Sequence, residues 1–236
     1  MVAHSPWKNP PMPDGRLYLG TRRYSSWSMR GWLAVRLAGL DVEEVVIPLD
    51  HSDAGGTPAV AAVSPSGLVP YLEHRGNQVW ETLAIIEYCA EHSPALWPPG
   101  LSARTRARAI SAEMHAGFRA LRTAMPMVLD TAAPGRGRTP GALRDIVRIE
   151  ALWAETRAGF GTGGPFLFGA DFGAADAMFA PVVARLLTYA PPVSAATRAY
   201  CDAVRAHPLV SHWYGAAATE PLAWRRAADE AALTGP

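Results

Sequence analysis

The sequence predicts an α/β half, residues 16–93, joined through a linker at 94–102 to an all-helical half, residues 103–236. Three observations carry that reading. Up to Trp80, short β-branched and aromatic runs alternate with a helix-spaced apolar pattern. The segment Pro94 to Gly100, PALWPPG, has the composition of a linker. Beyond it the apolar residues step by three and four, and only Phe166-Leu167-Phe168 reads as a strand.

The elements follow in order. Residues 1–15 form a proline-rich arm. Leu17-Tyr18-Leu19 is a first strand, and Thr21 to Ser28 a turn rich in hydroxyls. From Met29 the spacing becomes helical, with Met29, Trp32, Leu33, Leu37 and Leu40 on one face and Gly39 as a stop. Val45-Val46-Ile47, closed by Pro48, is a second strand, so the first three elements make one parallel crossover unit. His51 to Gly67 reads as a loop with one or two helical turns. Val69 to Glu73 and Gln78 to Trp80 flank a Gly/Asn turn and predict an antiparallel hairpin. A helix opening at Thr82 puts Ile85, Ile86 and Cys89 on one face.

In the second half, Ile110, Met114, Phe118, Leu121 and Met125 define one face of a single long helix. Thr131 to Gly141 is a loop, and Leu143, Ile146, Val147 and Trp153 mark the next helix. Ala177 to Leu187 is apolar nearly all round, the mark of a buried central helix. Two shorter helices follow, near Ala195–Ala206 and Pro208–Ala218.

Composition excludes several classes. Hydrophobic residues make up 49% and charged residues 18%, the balance of a chain that buries a core. A net charge of +1 gives no electrostatic case for nucleic acid or an anionic membrane. The longest apolar run contains Pro181 and is too short to span a bilayer. Cys89 and Cys201 sit far apart in apolar helical stretches, so neither a zinc site nor a dithiol redox pair is expected. The histidines show no ligand spacing, and no metal is expected. With no apolar leader at the N-terminus, the expectation is a cytoplasmic protein.

Three clusters carry chemistry. Arg23-Tyr24-Ser25-Ser26-Trp27-Ser28 lies between the first strand and the first helix, where unpaired N–H groups and the helix dipole favour an anion. Ser64 to Pro70 places a proline at the mouth of a strand, marking an edge, a bulge or a cis bond. Glu81-Thr82 opens the third helix. Taken singly, these read as a helix cap, a turn proline and a second cap.

Together, in this order, they resemble the glutathione transferase superfamily. The resemblance covers about residues 16–220 in element order, and implies a thioredoxin-like half followed by a helical half. Tyr24 to Ser28 resembles the serine-bearing loop of zeta- and theta-like classes, as also found in a bacterial subgroup. Val69-Pro70 resembles the segment with a cis-proline, and Phe172 to Asp176 the capping box before the central helix. The implied function is a transferase that conjugates glutathione, as co-substrate, to a small electrophile. Alternatives are a glutathione-dependent cis–trans isomerase, of maleylacetoacetate or maleylpyruvate type, and a non-catalytic glutathione-fold binding protein. The implied assembly is a homodimer.

The resemblance also implies roles. Ser25, with Ser26 next in line, hydrogen-bonds the glutathione sulfur. The Val69 backbone, held by Pro70, pairs with the cysteinyl part, Glu81 meets the γ-glutamyl ammonium and Thr82 its carboxylate. Leu68 and Gly55-Gly56 stand where relatives carry basic residues, so the anchor for the glycyl carboxylate is unassigned, with His51 one candidate. Gly173 replaces the usual hydroxyl of the capping box, and Trp27 the cysteine of the zeta class. His115, Phe118, Arg119 and Arg122, on one helix, are the candidates for the second-substrate pocket.

Overall fold

The computed structural model describes residues 13–50 and 56–234. The proline-rich arm up to residue 12, and His51, lie outside the described residues. A four-stranded mixed sheet is built from β1 (Gly15–Gly20), β2 (Glu43–Ile47), β3 (Tyr71–His74) and β4 (Asn77–Trp80), in the order β2-β1-β3-β4. β1 runs parallel to β2 and antiparallel to β3, and β3 and β4 form the expected hairpin. This is the thioredoxin-like arrangement.

The crossover helix α1 (Ser26–Leu37) begins three residues before the first apolar position. Hydroxyls make that early start possible. The Ser25 side chain caps the helix by accepting from the Ser28 N–H. Ser28 Oγ in turn accepts from the Gly20 N–H at 2.9 Å, which fastens the helix start to the end of β1. Gly31 lets the helix lie directly on Pro70, since a Cβ there would meet the proline ring at 2.7 Å. The short helix α2 (Pro58–Ala61) follows β2, and α3 (Thr82–His92) follows β4.

The rest is helical: α4 (Leu101–Ala116), α5 (Arg119–Ala124), α6 (Pro140–Phe160), α7 (Ala174–Tyr189), α8 (Ala195–Ala206), α9 (Pro208–Ala218) and α10 (Ala227–Thr234). Phe166 pairs with Gly169 in an isolated bridge rather than a strand. Of the first half, α1 packs against α7 and α3 against α4, so one hydrophobic core runs through both halves. A small second core, Tyr18, Ile47, Val60 and Tyr71, lies under α2. Both cysteines are free and buried, and burial pushes each thiol up to about 12.

Two expectations are corrected. The long helix through Ile110 and Met125 is broken at Gly117 and Phe118, the latter at φ +58°. The apolar period survives the break because Phe118 and Leu121 still point into the core. The sequence also gave no helix beyond residue 218. The chain instead turns back as α10, with Glu230 accepting from Arg23 and Tyr24 at 3.0 and 2.8 Å. This one acid satisfies partners about two hundred residues away in sequence, which no local pattern announces.

Candidate functional site

The three clusters converge on one cleft. Its first part, about 200 Å³, is lined by Tyr24 to Trp27, Leu49, Gly56, Thr57, Val60, Gly67 to Val69 and Arg226. Its second part, about 220 Å³, is lined by Trp27, Leu68, Val69, Pro70, Glu81, Thr82 and His115. Trp27, Leu68 and Val69 belong to both, so the two parts adjoin. A larger cavity of about 590 Å³, between the linker and the start of α7, contains none of these residues.

Ser25 is the N-cap of α1 and is buried. Its Oγ donates to Ser28 Oγ at 2.7 Å. Ser26 is the first helical residue, and its Oγ stands 3.5 Å from a terminal nitrogen of Arg185. The Val69–Pro70 bond is cis. Among the described residues, no backbone hydrogen bond uses the Val69 N–H or C=O, and Val69 lines both parts of the cleft. Glu81, not Thr82, is the N-cap of α3, at φ +70°. Non-glycine residues rarely adopt that region, and the strain is of order 1–3 kcal/mol. It turns the Glu81 side chain onto His115, with the Oε2 to Nε2 distance 3.3 Å.

The remaining candidates separate. His115 faces Glu81 and lies edge-on to Trp27, with ring centroids 5.2 Å apart. Arg122 lies over the Trp27 ring at 4.7 Å. Phe118 is in the core and Arg119 is exposed, and of the four candidates His115 alone lines the cleft, Arg122 touching it only through Trp27. The break at Gly117 is the reason: His115 and Arg122 are not neighbours along one helix, and meet only through Trp27.

Sequence reasoning missed two further cations. Arg30, fully buried on α1, lies over Trp27 at 4.6 Å, and its Nε donates to the Met178 carbonyl at 2.7 Å. Arg185, buried on α7, donates to the carbonyls of Met125 and Pro181 at 2.8 and 2.9 Å. Burial first, then the Arg185 and Arg122 charges, drive the Arg30 guanidinium well below its ordinary value. Burial and Arg122 lower Arg185 to about 10. Burial and Arg119 lower Arg122. Guanidinium groups nevertheless remain cations in proteins. A signal existed in the sequence: Arg185 is the single charge in the apolar run from Ala177 to Leu187.

Residues 24–92 match the family model described as Glutathione S-transferase, N-terminal domain, and residues 107–216 that described as Glutathione S-transferase, C-terminal domain. The chain belongs to the glutathione S-transferase family. Protein IN2-1 homolog A of Oryza sativa subsp. japonica is 30% identical over 183 residues, covering 74% of this chain and 69% of that protein. A glutathione transferase homolog from Burkholderia, solved with bound glutathione, superposes with a TM-score of 0.65 at 23% identity, over 87% of this chain and 99% of that one. A theta class glutathione S-transferase from Xanthomonas axonopodis pv. citri, with glutathione bound, gives 0.62 at 21% identity, over 86% and 98%. At these identities the structural likenesses speak for the fold of this glutathione S-transferase family member. Among its described residues no helix is long and apolar enough to cross a membrane, and no cluster of three or more His, Cys, Asp or Glu could hold a metal ion.

Proposed function

We propose that this protein binds glutathione in the cleft and conjugates its thiolate to a small electrophile, with Ser25 hydrogen-bonding the sulfur. The observation that carries the reading is Ser25 at the N-terminus of α1, in the cleft that Val69 and Trp27 line with it. The cysteinyl part pairs with the Val69 N–H and C=O, which no backbone partner occupies among the described residues. Glu81 and Thr82 take the γ-glutamyl end in the second part of the cleft. The glycyl end then lies by Thr57 and Arg226, the latter a cation contributed by the returning C-terminal segment.

In the reaction, the bound thiol gives its proton to solvent and the sulfur forms a bond to an electrophilic carbon. That carbon either expels a leaving group, or belongs to an activated double bond whose neighbouring carbon takes a proton. The enzyme's part is to favour the anion. Tyr24 is poorly placed to do so, because its hydroxyl donates to Glu230 at 2.8 Å and accepts from the Arg226 N–H at 3.1 Å. The Ser25 hydroxyl has only to turn away from Ser28, whose Oγ keeps its Gly20 N–H partner. The same thiolate could instead add reversibly and isomerise a double bond. The assembly that goes with the reading is a cytosolic homodimer.

Calorimetry with glutathione, followed by a conjugation assay with a chloronitroaromatic electrophile, tests the proposal. Binding with turnover supports it. Binding without turnover, or with isomerisation alone, replaces conjugation with one of the other readings. Absence of glutathione binding removes it. Ser26→Ala beside Ser25→Ala decides which hydroxyl serves the sulfur: loss of activity in Ser26→Ala alone moves the role one residue along.

A further inference from the structure

Glu81 is an acid at a helix start that does not serve the helix. It is the N-cap of α3, where a side chain ordinarily accepts from the first N–H groups, yet it makes no capping bond. Its backbone sits at φ +70°, a region that strains a non-glycine residue. The carboxylate instead reaches across the cleft, where Oε2 lies 3.3 Å from Nε2 of His115 in the last turn of α4. Among the described residues, no other charged side chain pairs with Glu81. His115 is as closely set. Its Nδ1 is buried, with no hydrogen-bond partner among the described residues. A proton on Nδ1 would be stranded there, and would leave a bare Nε2 lone pair facing the carboxylate. The ring proton of the neutral imidazole therefore belongs on Nε2, where it faces Glu81. Trp27 braces the ring edge-on, with centroids 5.2 Å apart. An acid from the first half and a histidine from the second thus meet in the part of the cleft that Thr82 and Val69 also line.

We propose that His115 is a positioning residue of the glutathione site: it holds one oxygen of Glu81 and leaves the other to receive the γ-glutamyl ammonium. The inference rests on the glutathione reading above, and adds to it the source of a selectivity for thiols with a free α-amino group on the γ-glutamyl end. A carboxylate accepts at both oxygens, so one donor from the protein and one from the ligand can share it. A neutral imidazole supplies its donor without cancelling the Glu81 charge, which is left whole for the ammonium. The Glu81 side chain is 53% exposed. An unrestrained glutamate in that setting keeps many rotamers, which the ligand would have to order on binding. With His115 in place the acid is oriented before glutathione arrives, and pre-organised groups bind more tightly. The sulfur is not the partner of this histidine, because Ser25 lines the first part of the cleft and His115 only the second.

The test is calorimetry on the full chain with glutathione and with glutaryl-cysteinylglycine, which lacks only the α-amino group. The wild type is expected to bind glutathione about tenfold or more tightly, since the analogue forfeits a hydrogen bond between charged groups. His115→Phe keeps a ring against Trp27 and removes the donor. It should weaken glutathione about three- to tenfold while the analogue stays within about twofold. His115→Gln, which keeps a donor, should recover part of that loss. In Glu81→Gln the preference should vanish, and adding His115→Phe should then bring no further loss. An equal loss for both ligands in His115→Phe, no loss at all, or tighter glutathione each overturns the proposal: His115 is then a general wall, a bystander or a competitor for Glu81. Losses that add in the double variant overturn it, as does identical weakening in His115→Phe and His115→Gln. A shifted pKa of bound glutathione in His115→Phe, read by thiolate absorbance, assigns the histidine to the sulfur and also overturns it. Equal affinities in the wild type remove the inference alone. If glutathione fails to bind, the functional reading itself has failed and takes this inference with it.

Discussion

Two helices start in the interior of this protein, and they are finished in opposite ways. α7 begins at Gly173, and its own Asp176 closes the end: the carboxylate accepts from the N–H groups of Gly173 and Leu167 at 3.0 Å each, and from the Tyr200 hydroxyl at 2.9 Å. The sequence expectation that Gly173 forfeits the capping hydroxyl is correct, but the acid half of the box remains and does more than cap. α1 begins at Ser25, has no acid in its first turn, and is surrounded by arginines instead. The first end is sealed by the chain's own anion, while the second has no acid of its own, as the proposed thiolate site requires. On the proposed function the difference separates a structural N-terminus from a ligand-binding one, although the local geometry of both is an extended cap followed by a helix.

The largest expected effect breaks the sealed end. Asp176→Ala strands three donors in the core, each costing about 1–3 kcal/mol. Urea unfolding is expected to show a loss of roughly 3–5 kcal/mol, or a protein that fails to fold. A loss below 1 kcal/mol would mean that the α7 end is not held as described.

Next comes the open end. One hydrogen bond to a charged sulfur is worth about 1.5–3 kcal/mol, and one pKa unit is 1.36 kcal/mol. Ser25→Ala should therefore raise the bound thiol's pKa by roughly 1–2 units, and lower turnover at neutral pH by about 10- to 100-fold. The pH–rate profile should move to higher pH, since more alkali is needed to make the thiolate. The same change removes a helix cap, worth about 1 kcal/mol of stability. An unchanged profile would leave Ser25 as a cap alone.

A pH series sharpens the contrast. Burial raises the Asp176 carboxyl to about 6, above its unfolded value, against the pull of its hydrogen bonds. The folded state thus binds a proton more readily than the unfolded one between about pH 4 and 6. The stability contributed by the protonated form is complete below the unfolded pKa, and is lost as pH rises through about 6. Relative to Asp176→Asn, the wild type is expected to lose about 2–3 kcal/mol across that window. The difference between the two unfolding curves, measured at pH 4 and pH 7, gives the sign directly.

The smallest effect concerns the returning tail. Glu230→Gln weakens the contacts that hold Tyr24 and Arg23, partly exposed ones, so stability should change by less than about 1 kcal/mol. Because Tyr24 and Arg226 line the cleft, the KM for glutathione is expected to rise a few-fold while kcat stays nearly constant. A fall in kcat with KM unchanged would place the tail nearer the sulfur than to the glycyl end.

Much of this protein follows from local sequence. Alternation and spacing fix the strands, the hairpin, and helices α7, α8 and α9, because each buries a face that its own residues define. The hydroxyl-rich loop, Val69-Pro70 and Glu81-Thr82 are likewise visible as short motifs, each bound to one turn or helix start. What tertiary structure alone decided is where distant charges meet. The break at Gly117 parted His115 from Arg119 and Arg122, the tail brought Glu230 and Arg226 to Tyr24, and α1 packing on α7 set Arg30 beside Arg185. Periodicity reports whether a position is buried, but not which neighbour it is buried against. For an apolar side chain the identity of that neighbour matters little, and for an arginine it settles whether the charge meets a carboxylate or only backbone carbonyls.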